Sequence, residues 1–157
     1  MTRSPIALCL ALLTGPALAG SAEVSFTRPE QFADAGRGRE AQQVQAALTR
    51  HLQALAAQLP ATQNLRVEFT DIDLAGHLKP LYRSGQDIRV LTGRTDWPRL
   101  ALHYHLSSAG TTLASGDESL ADMGYLQHTL SLRDGDALPF EQRLLSDWFA
   151  RRFGLRP

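Results

Sequence analysis

The N-terminal segment is the feature that most restricts what this chain can fold into. Ile6–Leu13 is an unbroken apolar run that follows Arg3 and precedes the helix-breaking Thr14-Gly15-Pro16 and the small residues of Ala17-Leu18-Ala19. This order is typical of a secretory signal peptide over residues 1–19, with cleavage after Ala22 as the alternative. The run is much shorter than the roughly 20 apolar residues of a spanning helix. We therefore predict export to the periplasm, with no membrane insertion after cleavage.

Export would also remove the only cysteine, because Cys9 lies inside the apolar run. The remaining domain, residues 23–157, is predicted to have no disulfide, no thiolate metal ligand and no cysteine nucleophile. Basic and acidic residues number 16 each, and one basic residue is lost with the signal peptide. This balance gives no electrostatic reason to expect nucleic acid as a partner.

Hydrophobic periodicity predicts an α+β fold for a single domain. Apolar residues recur at three and four positions over residues 39–59, which is typical of an amphipathic helix, and a second helix is predicted over 139–153. Strands are predicted over 23–27, 64–74, 87–91, 99–106 and 111–119, with a loop over 75–86. Since the strands cluster into hairpins, we expect an antiparallel sheet with two helices packed on one face, a two-layer sandwich.

The second strand changes phase along its length. Leu65, Val67 and Phe69 share one parity, whereas Ile72 and Leu74 have the other. Both sets can face the core only if an extra residue is inserted between them. We therefore predict a β-bulge near Thr70-Asp71.

Five segments resemble, in order, the blocks of a bacterial family of exported proteins. They read Asp-Ile-Asp-Leu-Ala-Gly (71–76), Gln-Asp-Ile-Arg-Val-Leu (86–91), Trp-Pro-Arg-Leu (97–100), Leu-Ala-Asp-Met-Gly-Tyr (120–125) and Asp-Trp-Phe (147–149). The family is domain of unknown function 3016, and the resemblance covers roughly Val24 to Phe153. It implies export and a shared fold, and it carries no catalytic residue.

Asp71 and Asp73 are the first candidate binding residues. In an extended chain their carboxylates share one face, where they could bind a hard cation such as Ca²⁺ or Mg²⁺. The alternative, which we favour, is that they hydrogen-bond to backbone at the end of the strand. The sequence therefore names them only as weak metal candidates and predicts no cofactor.

Asp87, Arg89, Trp97 and Asp122 complete the set of candidate binding residues. Asp87 and Arg89 share a strand face and could line a polar groove, although a structural salt-bridge network is the favoured interpretation. Trp97, between Asp96 and Pro98, is the tryptophan expected to be partly exposed. Asp122 follows Asp117 and Glu118, and these three acidic residues could form a paired-carboxylate site. The favoured interpretation is that they lie on a solvated strand edge.

His103 and His105 lie on one face of a strand, a spacing that zinc sites use. That face also holds Arg99 and Ala101, which indicates the solvated side. The chain contains no P-loop, dinucleotide-binding turn or Gly-x-Ser-x-Gly motif.

These patterns favour a non-catalytic periplasmic module that binds an envelope protein or a cell-wall component. The alternatives are a carboxylate-based or metal-dependent hydrolase acting on an envelope component, and an assembly or stress factor without a small ligand. The arrangement of Asp71, Asp73, Asp87 and Asp122 distinguishes the first two. Convergence in one concave site would favour the hydrolase, and separate pairing would favour the binding module.

Overall fold

The computed structural model describes residues 19–81, 86–127 and 138–154. The predicted signal peptide falls almost entirely outside these ranges. The described chain contains two α-helices, α1 (Arg39–Ala56) and α2 (Pro139–Phe153). Its strands are β1 (Ser21–Phe26), β2 (Gln63–Asp73), β3 (His77–Leu81), β4 (Gln86–Val90), β5 (Arg99–Ser108) and β6 (Thr111–Ala121). The predicted α+β class is confirmed.

The main sheet has four strands in the order β1-β2-β5-β6. β2, β5 and β6 pair antiparallel, as predicted, but β1 pairs parallel to β2. The sheet is therefore mixed, and the expectation of a wholly antiparallel sheet was wrong at this edge. The physical reason is the long connection through α1, because a crossover that contains a helix can return the chain parallel to its starting strand.

One hydrophobic core lies between the helices and one face of the sheet. The stripe of α1 buries Val44, Leu48, Leu52 and Leu55, and it packs with Leu144, Leu145 and Trp148 of α2. Alternate residues of β2 and β5 enter the same core. Both helices thus cover one face, which confirms the two-layer arrangement. The other face presents polar side chains.

The predicted β-bulge is present in β2. Phe69 pairs with Leu102 and Asp71 pairs with Ala101, so Thr70 is the extra residue. Phe69 and Ile72 are both fully buried, although their sequence parity differs. The inserted residue therefore keeps the whole length of β2 facing the core.

The predicted loop over residues 75–86 was wrong, because His77–Leu81 forms β3 and pairs antiparallel with β4. In the sequence, Pro80 favoured a loop. However, a strand can contain proline at a position where an N–H group would not donate to a neighbouring strand, as on an edge strand. The β3–β4 hairpin is a separate two-stranded sheet. Within the described ranges, no helix combines the length and apolar character needed to cross a membrane.

Candidate binding groove

A groove of about 1280 Å³ lies between the segment that leads into α1 and the β3–β4 hairpin. One wall is residues 29–41, and the other is formed by His77, Leu78 and Asp87. The wall at 29–41 contains the 3₁₀ turn Pro29–Gln31, the half-buried Phe32 and the first turn of α1. Arg37 and Arg39 are exposed on this wall. Guanidinium groups therefore lie on one wall and the Asp87 carboxylate on the other.

Segment 33–35 is fixed to the end of β2 by backbone hydrogen bonds. Asp34 N–H donates to the Ile72 carbonyl at 2.9 Å, and Leu74 N–H donates to the Asp34 carbonyl at 2.9 Å. The Asp71 carboxylate also accepts the Ala33 N–H at 2.8 Å. The groove wall is thus an extension of the sheet and not a free loop.

An ion-pair cluster of Arg89, Asp34 and Glu40, here called the Arg89 cluster, joins the hairpin to this wall. The Arg89 guanidinium donates to both carboxylate oxygens of Asp34, at 2.8 and 3.3 Å, and to Glu40 at 3.4 Å. Burial opposes the charge of Arg89, but hydrogen bonds and attraction from Asp34 and Glu40 outweigh it and raise its pKa. The cluster therefore fixes β4 relative to the start of α1.

Glu141 is a buried carboxylate that interacts electrostatically with Arg89 and Asp34 of the Arg89 cluster. It lies in the first turn of α2, is 2% exposed, and accepts the Ala75 N–H at 2.8 Å. Burial raises the pKa of Glu141, while hydrogen bonds from Ala75 and from its own N–H and the charge of Arg89 act in the opposite direction. The Ala75 carbonyl in turn accepts a long hydrogen bond from Arg89 at 3.4 Å. Ala75 thus connects the start of α2 to the Arg89 cluster.

A smaller polar pocket of about 600 Å³ lies on the other side of His77, against the loop of residues 91–98. Asp96 shapes this loop by accepting the N–H groups of Thr92 at 2.6 Å and Arg94 at 3.1 Å. Although desolvation acts in the other direction, hydrogen bonds from the N–H and hydroxyl groups of Thr92, from the Tyr125 hydroxyl and from its own N–H lower the pKa of Asp96 to about 2. Asp96 therefore has a structural role in holding the loop.

The four aspartates that the sequence singled out do not converge. Asp71 accepts the Ala33 N–H, and Asp73 accepts a hydrogen bond from Arg99 Nε at 2.9 Å. Asp122 accepts the Gly124 N–H at 3.1 Å in the turn after β6. Asp87 lines the groove. Three of the four thus have separate structural partners, and Asp87 alone of the four lines the groove.

The remaining candidates are similarly separated. Trp97 is half-buried, with the Arg99 guanidinium 5.5 Å from its ring centroid. His103 pairs with Asp117 at 2.8 Å and His105 with the Thr112 hydroxyl at 2.9 Å, both on the uncovered sheet face. In the part of the chain that the structure describes, no three His, Cys, Asp or Glu side chains form a group that could hold a metal ion.

Residues 20–151 match the family model described as protein of unknown function (DUF3016). The chain belongs to this family. No curated protein and no solved structure matches the chain.

Four of the five DUF3016 blocks lie in two regions: three meet at one end of the sheet, where Asp73, Gly76 and Arg99 line the smaller pocket, and one forms β4 beside the groove. In the sheet, Asp73 pairs with Arg99, which in turn pairs with Ala121, so three blocks meet at one end of β2, β5 and β6. The fourth block is β4, which contributes Asp87 and Arg89 to the groove region. The fifth, residues 147–149, contributes Trp148 to the core.

The sequence did not predict that Asp34 and Glu40 bind Arg89, or that Glu141 is buried. Asp34 and Arg89 are 55 residues apart, and Glu141 and Ala75 are 66 apart, so no local spacing connects them. The position of Glu141 in the first turn of a helix was visible in the sequence. Its burial depends on the end of β2 and could not be inferred from that position.

Proposed function

We propose that this protein is an exported, non-catalytic binding module of the bacterial envelope, which takes an extended segment of a partner protein in the groove between residues 29–41 and the β3–β4 hairpin. The observation that carries the proposal is the groove itself. Its volume of about 1280 Å³ exceeds the roughly 300–1000 Å³ of ordinary small-molecule pockets. A polymer segment fits such a site better than a metabolite.

The charges on the walls support a peptide as the occupant. Arg37 and Arg39 on one wall and Asp87 on the other offer ion pairs of both signs. A peptide segment can supply acidic and basic side chains together, whereas a neutral glycan supplies neither. Apolar side chains such as Phe32 and Leu78 add surface that an apolar partner residue can cover.

A carboxylate-based hydrolase is less well supported. Such enzymes place two carboxyl groups across the bond that is cleaved, both accessible to substrate. Here Asp71 and Asp73 hold neighbouring segments of the fold, and Asp122 holds a turn. Glu141, which has the raised pKa expected of a general acid, is 2% exposed and accepts a backbone hydrogen bond.

Single cysteines can test which surface touches the partner. Because Cys9 lies in the predicted signal peptide, a mature Leu78→Cys variant carries one thiol, which can be labelled with a photo-crosslinker in the groove. The matched control is Ser115→Cys, exposed on β6 opposite His105. After irradiation in an envelope extract, we expect a discrete protein adduct from the Leu78→Cys probe and none from the Ser115→Cys probe. Mass spectrometry of the adduct identifies the partner segment.

Charge reversal makes the same experiment specific to the groove. In the Leu78→Cys background, Asp87→Arg should reduce the adduct at least severalfold because it removes the anionic wall, whereas Asp117→Arg on the opposite sheet face should leave it unchanged. Equal adducts from both cysteine probes, or an adduct insensitive to Asp87→Arg, would contradict a groove-based module. If the adduct carries glycan and no peptide, the partner is a cell-wall component and not a protein.

A further inference from the structure

We propose that the chain is processed between Ala19 and Gly20, and that the new α-ammonium group of Gly20 becomes part of the fold by capping the C-terminal end of α1. The inference rests on the export that the proposed function includes. It goes further in assigning a structural role to the new terminus, which also favours the predicted cleavage after Ala19 over the alternative after Ala22.

Gly20 is already seated against the end of α1. Its N–H donates to the Leu59 carbonyl at 3.0 Å, and the preceding Ala19 forms an isolated bridge with Pro60. Leu59 lies three residues beyond Ala56, the last residue of α1, and the turn between them is closed by a hydrogen bond from Leu59 N–H to the Ala56 carbonyl at 2.9 Å. A Cβ on residue 20 would lie 2.7 Å from both Ala56 O and Leu59 Cβ. The position therefore requires glycine, and the backbone nitrogen is held at the helix end.

The end of α1 lacks a cation of its own. A helix C-terminus carries a partial negative charge of about half an electron, which a positive group stabilises. The last turn of α1 contains no basic residue. A peptide N–H at Gly20 supplies a neutral donor there. An α-ammonium at the same nitrogen supplies a charged donor, and charge-assisted hydrogen bonds are stronger than neutral ones.

Cleavage after Ala22 satisfies the peptidase equally well but damages the fold. Gly20 and Ala22 would then be the small residues at the −3 and −1 positions, as Ala17 and Ala19 are for the first site. However, β1 would lose its Ser21–Asn64 and Ala22–Leu65 pairs and the side-chain hydrogen bond from Asn64 to Ser21 at 2.9 Å. The hydrogen bond from Gly20 to the end of α1 would be lost as well. Only cleavage after Ala19 keeps β1 whole and puts a charge at its start.

The mass of the exported protein tests the site. The full chain, with a C-terminal tag that contains no lysine, is expressed in a Gram-negative host, and the periplasmic fraction is analysed by intact-mass spectrometry. We expect a product that begins at Gly20. A product that begins at Glu23 would overturn the assignment and leave export intact, whereas an uncleaved chain retained in the cytoplasm would overturn both.

Two variants of the signal segment sharpen this result. Ala19→Leu places a large residue at the −1 position, so the Gly20 product should disappear. Leu18→Ala changes the intervening position and should leave the Gly20 product unchanged. If the Ala19→Leu chain still yields a product that begins at Gly20, the proposed site is wrong.

Acetylation tests the role of the charge, because it removes the charge and keeps the N–H donor. Lys79 is the sole lysine, so in a Lys79→Arg background the α-amino group is the one amine that reacts. A cation at a helix C-terminus changes the unfolding equilibrium constant by about two- to fivefold. We expect acetylation of the chain that begins at Gly20 to raise the unfolding equilibrium constant by about two- to fivefold at pH 6. Urea unfolding measures this change.

The stabilisation by the α-ammonium group should decrease as pH rises. The capping interaction should raise the pKa of the α-amino group above its ordinary value of about 7.7–8.0. Its stabilisation is then complete below that value and is lost as pH rises through the folded-state pKa. At pH 10 the acetylated and free chains should unfold at the same urea concentration. Coincident curves at pH 6 as well would overturn the capping role.

Discussion

Among the residues that the structure describes, Glu141 is the charged residue that the fold buries. The fold buries it in the first turn of α2 and gives it the Ala75 N–H as a partner. The charged and titratable groups that act on it are Arg89 from β4, Asp34 from the groove wall and Tyr125 from the turn after β6. Burial is the largest effect and raises its pKa above 4.5. Ionised Glu141 is therefore costly to bury, and protonated Glu141 is not.

This cost gives a prediction about pH. Because the folded-state pKa of Glu141 is raised, its contribution to stability is complete below its unfolded pKa and is lost as pH rises through the folded value. A tenfold difference in proton affinity between the folded and unfolded chains corresponds to about 1.4 kcal/mol of stability. We expect Glu141→Gln, which keeps an oxygen to accept the Ala75 N–H, to be more stable relative to wild type as pH increases from 4.5. Urea unfolding at a series of pH values measures the difference.

The control for this prediction is Glu30→Gln. Glu30 is exposed on the groove wall, so its replacement should give a difference from wild type that varies little over the same pH range. A Glu141→Gln difference that is flat from pH 4.5 to 8 would show that burial does not control the ionisation of Glu141.

At the scale of elements, the β3–β4 hairpin depends on contacts outside itself. An isolated two-stranded hairpin is marginally stable in water. Leu81 and Ile88 are 40% and 44% exposed, so the hairpin buries only part of its apolar surface. The Arg89 cluster and the hydrogen bond from Gly76 N–H to the Asp96 carbonyl, at 2.8 Å, attach it to the domain.

Removing the guanidinium group of Arg89 should therefore destabilise the β3–β4 hairpin before the rest of the domain. Breaking a fully buried ion pair costs about 3–5 kcal/mol. Arg89 and Asp34 side chains are 22% and 25% exposed, so we expect Arg89→Met to cost less, about 1–3 kcal/mol. Hydrogen exchange should accelerate in β3 and β4 before it accelerates in β5, and urea unfolding gives the total loss.

Arg66→Met provides the matched comparison for Arg89→Met. Arg66 pairs with Glu23 at 2.8 Å, but the two side chains are 67% and 59% exposed. Exposed pairs of this kind contribute about 0–1 kcal/mol. The two variants could lose equal amounts of unfolding free energy, or hydrogen exchange in the hairpin of Arg89→Met could stay at the wild-type rate. Either result would show that the Arg89 cluster does not hold the hairpin.

The bulge in β2 is a second element on which the fold depends. Thr70 is the inserted residue, and Ile72 and Leu74 after it are 0% and 2% exposed. Deleting Thr70 would move both side chains to the opposite face of the strand. Exposing two large aliphatic side chains costs roughly 3–6 kcal/mol.

We therefore expect deletion of Thr70 to lower the free energy of unfolding by about that amount and to weaken the attachment of segment 33–35, which pairs with β2 beyond the bulge. Thermal unfolding followed by circular dichroism measures the loss. Thr70→Gly keeps the residue count and should cost far less. If both variants melted like wild type, the inserted residue would have no role in register.

At the scale of the whole molecule, packing and the candidate site occupy different regions. The helices and the inward face of the sheet enclose the core, which includes Tyr104 and Trp148, and the partly buried Phe153 packs against both in edge-to-face contacts. The groove lies beside the core, between the start of α1 and the hairpin. Substitutions of the exposed charged residues Arg37, Arg39 and Asp87 should therefore change binding more than they change stability, which is the condition for the cross-linking experiment to be informative.

The sequence by itself determined the elements whose signals are local. The apolar stripe of α1, the alternation in β5 and the phase change in β2 each reflect burial of one face of one segment, so periodicity is enough to predict them. The small residues before Gly20 likewise predict processing, because a peptidase reads them in the extended chain.

Only the tertiary structure decided how distant segments meet. β1 reads as the same alternating strand whether its neighbour is parallel or antiparallel, because the side-chain period is two in both cases. Pro80 favoured a loop until pairing with β4 made His77–Leu81 a strand. Arg89 meets Asp34, and Glu141 meets Ala75, across more than 50 residues of chain. Such contacts depend on packing between elements, and no spacing within one element encodes them.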